Sequence, residues 1–332
     1  LDVETGSYTP FVSGKLMVRS LSAGPDGSIA FGGSTPRNPS ELYYQRPGED
    51  KAARITRINE AFLSEVQVQP SHELRFRSPS GVEIQGWYHL PVGYEEGKKY
   101  PLAVNIHGGP HVMWSNCETS MWHEWQTHAA RGYAVFYCNP RGSDGYGEEF
   151  QRALHSAWGD VAYEDIMAGV DEVVKLGFVD EKRMAVTGGS YGGYMTGWIV
   201  GHTERFACAV SQRGVYNLIS FVGTSDIPTF IKAEFDVEPW EDHQKLWEHS
   251  PLAYAHKVKT PTLLIHAEND FRVPIEQGEQ FFALVRRSGG TIKMLRFPRD
   301  GHEMSRMGEP GHRVARLTAM VDWFDRYCMP QN

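Results

Sequence analysis

Ser190 stands at the apex of Gly188-Gly-Ser190-Tyr-Gly192, a G-x-S-x-G run with no side chain two residues to either side of the hydroxyl. The run is preceded by the apolar stretch 184–187 and followed by 191–200, which can form a helix. A sharp strand-to-helix turn strains the backbone of its apex residue, and only small neighbours allow it. Such a turn projects the apex Oγ beyond the strand, above a helix N-terminus whose free N–H groups favour developing negative charge. That is the chemistry of a serine nucleophile. A glycine-rich turn with an incidental serine would leave the residue at the apex unexplained.

A serine hydroxyl attacks only when a base takes its proton. Of the 14 histidines, His302 closes Pro298-Arg-Asp-Gly-His302, just past the apolar run 292–297. Asp270 closes His266-Ala-Glu-Asn-Asp270, past the run 262–265. Ser190, Asp270 and His302 thus lie on successive post-strand loops, 80 and 32 residues apart. This is the chain order of a triad on the α/β-hydrolase fold. Glu268 and Asp300 compete as acids: the first lies nearer the buried strand, the second too close to His302 in sequence to reach around its ring. His266 and His312 read as a strand-end and a helix-start residue.

Acyl transfer also requires two donors for the oxyanion. The N–H of Tyr191 follows the nucleophile directly. The second is expected from Gly109 in His107-Gly-Gly-Pro110, after the run 102–106, with His107 packed inside its loop. No HExxH, phosphate loop or dinucleotide fingerprint occurs, and His123 and His128 miss the spacing of a helical zinc pair. Neither metal nor cofactor is called for.

The elements that must hold these residues follow from hydrophobic patterning. Runs 102–106, 133–137, 184–187, 207–210, 262–265 and 292–297 are continuously apolar, the mark of strands buried on both faces of a parallel sheet. Segments 158–176 and 313–327 carry apolar residues three or four apart and read as helices between or after them. Residues 74–77 and 82–89 alternate and suggest an opening hairpin. The whole of 71–332 therefore reads as a doubly wound α/β domain. Residues 1–70 differ: short alternating runs at 28–32, 42–45 and 53–58, parted by a turn-rich stretch at 32–40, read as antiparallel β. Three or four such strands cannot stand alone, which suggests one blade or the end of a β-propeller.

With 332 residues, 41% hydrophobic, 22% charged and a net charge of −8, the chain has an ordinary globular composition and lacks the basic face that nucleic acid requires. No apolar run approaches a membrane span. Cys117, Cys138, Cys208 and Cys328 have no CxxC spacing and read as buried thiols of a reducing compartment, so a cytoplasmic location is expected.

Taken together, Gly188-Gly-Ser-Tyr-Gly-Gly-Tyr194, His107-Gly-Gly-Pro110, Asn139-Pro-Arg-Gly-Ser-Asp-Gly-Tyr-Gly147, Trp158-Gly-Asp160, Gly223-Thr-Ser-Asp226 and Asn269-Asp-Phe-Arg-Val-Pro274 resemble the prolyl oligopeptidase family of serine peptidases, and within it the bacterial acylaminoacyl peptidases. The resemblance spans about residues 71–327. It implies Ser190, Asp270 and His302 as triad, Tyr191 and Gly109 as oxyanion donors, and an N-terminal propeller that admits only oligopeptides. Residues 6–69 would be the last part of that propeller, so a gene product roughly twice this length is expected, this chain being a fragment or one of two chains. Substrates would be short peptides, with release of N-acylated amino acids the leading expectation; a carboxypeptidase or general oligopeptidase, and then an esterase, are the alternatives. A homo-oligomer is left open.

Arg141, Arg213 and Arg272 each invite a role in holding a substrate carboxylate, although a loop-organising salt bridge is the commoner role for such residues. Phe230 and Ile231, within the insertion 221–235, are expected to line the pocket for the acyl-side residue.

Overall fold

The computed structural model describes residues 2–8 and 10–329 and holds two sheets. The first comprises β1 (Met17–Ala23), β2 (Ile29–Thr35), β3 (Asn38–Gln45) and β4 (Ala53–Arg54), antiparallel and paired in sequence order. The turn-rich stretch at 32–40 is not a loop: β2 and β3 run through it and reverse at Pro36 and Arg37. Pro39 is tolerated because β4 pairs only with Tyr43 and Tyr44, leaving one flank of β3 unpaired at the proline. Conversely, the strand expected at 53–58 shrinks to two residues, and β1 has no counterpart among the expected strands. β1 is nearly all exposed, so it lacks the alternation that burial would impose.

The second sheet begins with β5 (His72–Arg77) and β6 (Glu83–His89), the opening hairpin. It continues with β7 (Tyr100–Ile106), β8 (Ala134–Asn139), β9 (Val179–Gly189), β10 (Cys208–Gln212), β11 (Thr262–Ala267) and β12 (Ile292–Phe297). The spatial order is β12-β11-β10-β9-β7-β8-β6-β5, parallel from β12 to β8 and antiparallel at β6 and β5. The helices are α1 (Glu60–Glu65), α2 (Thr119–Ala130), α3 (Glu148–Arg152), α4 (Asp160–Lys175), α5 (Tyr191–His202), α6 (Leu218–Thr224), α7 (Phe230–Phe235), α8 (His243–Glu248), α9 (Glu276–Arg287), α10 (Met304–Met307) and α11 (Pro310–Cys328).

Strand residues alternate between two layers of core, which is why their sequences are continuously apolar. Leu102, Val104, Met184 and Val186 face α4 and α5, packing with Ile166, Val170 and Ile199. Ala103 and Ala185 face the opposite way, toward Met320 and Phe324 of α11. α11 starts at Pro310, whose missing N–H costs nothing in the first helical turn. The N-terminal sheet docks on the segment leading into α2: Ser34 Oγ donates to the Cys117 carbonyl, Trp122 Nε1 donates to the Pro36 carbonyl, and Arg19 pairs with Glu118 at 2.8 Å.

All four cysteines are buried and unbridged, with Cys208 and Cys328 sulfurs 3.8 Å apart. Among the described residues, no helix is long and apolar enough to cross a membrane.

Candidate active site

The chain leaves β8 and returns across β7 to form β9, so the order of the sheet reverses between β7 and β9. Loops at the carboxyl ends of strands flanking such a reversal diverge and leave a crevice. His107–Pro110 leaves β7 there, and Ser190 leaves β9 beside it.

Ser190 has φ +62° and ψ −121°, a conformation that L-residues rarely adopt. The glycines make this turn sterically feasible. A Cβ on Gly192 would strike the carbonyl oxygens of Ile106 and His107, and one on Gly188 would meet the backbone of Gly192. Gly108 lies against the nucleophile itself, where an added Cβ would come within 3.3 Å of Ser190 Cβ.

The structure brings Ser190, His302 and Asp270 into one hydrogen-bonded chain. His302 Nδ1 lies 2.8 Å from Asp270 Oδ2, and His302 Nε2 lies 3.0 Å from Ser190 Oγ. A carboxylate only accepts, so Nδ1 carries the proton and Nε2 is left to accept from the serine hydroxyl. Asp270 is itself fixed: its Oδ1 accepts the Val273 N–H at 2.8 Å. Burial pushes the His302 imidazole below its ordinary pKa, the Asp270 hydrogen bond opposes that shift, and the charge of Arg213 reinforces it. The ring is thus held neutral, able to act as a base, at neutral pH.

The competing groups are otherwise engaged. Glu268 pairs with Arg296, and Asp300 accepts from the Glu309 N–H and from His312. His266 is buried and bonded to the Val273 carbonyl. His107 is buried between the Gly108 carbonyl and Ser143 Oγ, and its pKa falls to about 4 by desolvation.

Tyr191 opens α5, so its N–H has no carbonyl one turn earlier to accept it. Gly109 stands across the crevice with φ +121°, and both residues line the same cavity as Ser190. The cavity encloses about 540 Å³. Trp158, Val215, Phe221, Ile227 and Phe230 give it an apolar lobe. Ile231 does not belong to that lobe. It is fully buried in the core beneath, because consecutive helical residues point about 100° apart and Phe230 takes the cavity side.

The three arginines separate. Arg141 is not in the cavity: its guanidinium holds Asp165 through Nε and Nη2 at 2.7–3.1 Å, and its backbone N–H binds the same carboxylate. It ties the loop after β8 to α4, so the salt-bridge role applies and the carboxylate-binding expectation is corrected. Arg272 lines the cavity rim and pairs with Asp226 at 2.6 Å. Arg213 lines the cavity and pairs with nothing among the described residues.

A polar lobe has almost no signature in the sequence. Arg316 donates to Glu124 at 2.8 Å and to Gln212 at 2.7 Å, all three buried, with Arg306 and Glu303 paired nearby. The only trace is a charged residue on the inward stripe of each of two helices, Glu124 in α2 and Arg316 in α11.

Residues 119–331, which include Ser190, Asp270 and His302, match the sequence profile of the prolyl oligopeptidase family. The chain belongs to the prolyl oligopeptidase family. It is 43% identical over 97% of its length to the peptidase YuxL of Bacillus subtilis (strain 168), covering 49% of that protein. Against the acylamino-acid-releasing enzyme of Arabidopsis thaliana it is 34% identical over 70% of its length and 31% of the relative's. A solved acylaminoacyl peptidase in complex with Z-Gly-Gly-Phe-chloromethyl ketone superposes with a TM-score of 0.92 at 30% identity, over 98% of this chain and 52% of that one. The chain spans about half the length or less of the curated relatives it matches.

Proposed function

We propose that this chain carries the catalytic domain of a peptidase that cleaves short peptides through an acyl-enzyme on Ser190, releasing N-acylated amino acids. The observation that carries the reading is the Ser190–His302–Asp270 chain opening onto a cavity with an aromatic lobe. His302 takes the Ser190 proton as Oγ attacks the peptide carbonyl, and the N–H groups of Tyr191 and Gly109 receive the oxyanion. The imidazolium, stabilised by Asp270, then protonates the leaving amine. Water repeats the sequence to release the acyl group. Trp158, Phe221 and Phe230 suit an apolar acyl-side residue, and the blocked Gly-Gly-Phe ligand of the solved relative fits the same preference.

The N-terminal sheet, four antiparallel strands in sequence order, supports a propeller blade over residues 1–70, ahead of a peptidase domain over 71–332. Its partner would be the rest of that propeller, restricting entry to oligopeptides.

Parallel kinetics on an N-acetyl-phenylalanine p-nitroanilide, an unblocked dipeptide p-nitroanilide and a p-nitrophenyl ester test the reading. The acylated anilide should be turned over with the highest kcat/KM among the amides. Activity confined to the ester would remove the peptidase assignment.

A further inference from the structure

Arg213 follows β10, at φ +40°, a left-handed conformation in which a non-glycine residue is strained. Its side chain is buried, with 6% of the residue exposed. Among the described residues no carboxylate lies within ion-pairing distance, and Nε has no hydrogen-bond partner. The other buried arginine, Arg316, likewise leaves its Nε without a partner, but its two terminal nitrogens donate to Gln212 and Glu124, and the carboxylate of Glu124 balances its charge. An unpaired buried guanidinium is costly, and a site that keeps one is built to receive an anion.

Position identifies the anion. The guanidinium packs over Gly189, next to the nucleophile: a Cβ placed on Gly189 would fall 2.9 Å from its Cζ. The charges that act on it belong to Arg306, Arg316, Asp270 and Glu303, which cluster around His302 and α11 rather than around the aromatic lobe. His302 delivers its proton to the leaving amine, so the His302 side of the cavity is the leaving-group side. When the leaving group is a single amino acid, its carboxylate sits on the carbon bonded to that amine, within the space Arg213 faces. A guanidinium offers paired N–H donors that match a carboxylate.

We propose that Arg213 is the anchor for the free α-carboxylate of the leaving residue, so that the preferred substrates are N-acyl dipeptides with a free C-terminus, cut between their two residues. This rests on the peptidase reading above and specifies its substrate class.

The test compares kcat/KM of the full chain on an N-acetyl dipeptide with a free carboxylate and on the same dipeptide amide. A charge-assisted pair of this kind predicts a preference for the acid of roughly 10- to 100-fold. In Arg213→Met that ratio should collapse toward one, mostly through KM for the acid, and Arg213→Lys should restore part of it. A wild-type ratio near one overturns the anchor whether or not the variants fold. So does an Arg213→Met variant that loses acid and amide cleavage equally, because that describes a residue positioning His302. Fluorophosphonate labelling of wild type separates the two failures: an unlabelled protein overturns the peptidase reading along with the anchor, whereas a labelled protein with no acid preference overturns the anchor alone.

Discussion

Asp270 holds His302 at 2.8 Å through Oδ2 while its other oxygen is fixed by the Val273 N–H, so the orientation of the base is set by the backbone of the loop after β11. Replacing Asp270 with Asn keeps the shape but adds a donor where only an acceptor serves. The ring then favours the tautomer with a proton on Nε2, which cannot accept from Ser190. Turnover should fall on the order of 10⁴-fold, as for other triads, while the melting temperature moves little. Near-normal turnover in Asp270→Asn would show that Asp270 does not orient the base.

Ser190→Ala should abolish fluorophosphonate labelling and lower kcat by about 10⁶-fold. The Cβ of alanine is already present in serine, so the strained turn is retained and the circular dichroism spectrum should match wild type. Labelling at another serine in the variant would reassign the nucleophile.

The pH profile follows from the shift at His302. The base must be neutral, and its pKa is lowered chiefly by burial, so kcat/KM should be flat near neutrality and fall only as pH drops below about 6.5, the ordinary imidazole value. The charge of Arg213 contributes to the lowering. Arg213→Met should therefore move the acid limb to higher pH, and Arg213→Lys should leave it nearer wild type. An acid limb above 6.5 in wild type, or a downward move in Arg213→Met, contradicts this account.

Much of the site is legible in the residues themselves. Gly188, Ser190 and Gly192 form a motif whose sterics are local, and His302 and Asp270 are marked by their places after strands. The rest depends on three-dimensional partners. Nothing in the sequence says that Arg141 meets Asp165, or that Arg213 meets no one, because an ion pair is set by packing between elements. Ile231 is misplaced by its sequence neighbourhood for a related reason: beside Phe230 on one short helix, only the direction of that helix decides which faces the cavity. β1 carries no pattern to read, because exposure imposes none.

Glycines give the sharpest steric prediction. Gly192→Ala places a methyl group against the Ile106 and His107 carbonyls, which belong to β7 and the Gly109 loop. Neither backbone can retreat without moving the Ser190 elbow, so the variant should lose activity by at least 100-fold or fail to accumulate as folded protein. Gly223→Ala is the control: it lies in α6 with open space around its Cβ position, and alanine there should stabilise by about 0.5–1 kcal/mol. Full activity in Gly192→Ala would mean that the elbow is not this tightly enclosed.

The Glu124–Arg316 pair bridges α2 and α11 with both side chains about 1–2% exposed, so each charge depends on the other. Removing one partner strands the other in a medium that cannot solvate it. Glu124→Leu should cost about 3–5 kcal/mol, and Arg316→Met a similar amount. Replacing both with apolar residues removes the stranded charge, and the double variant should recover most of that loss. The recovery cannot be complete, because Gln212 Oε1 accepts from Arg316 and would be left buried without its donor. Urea denaturation of the four proteins gives the coupling directly. Single-variant losses that simply add in the double variant would mean that water enters the polar lobe and solvates each charge on its own.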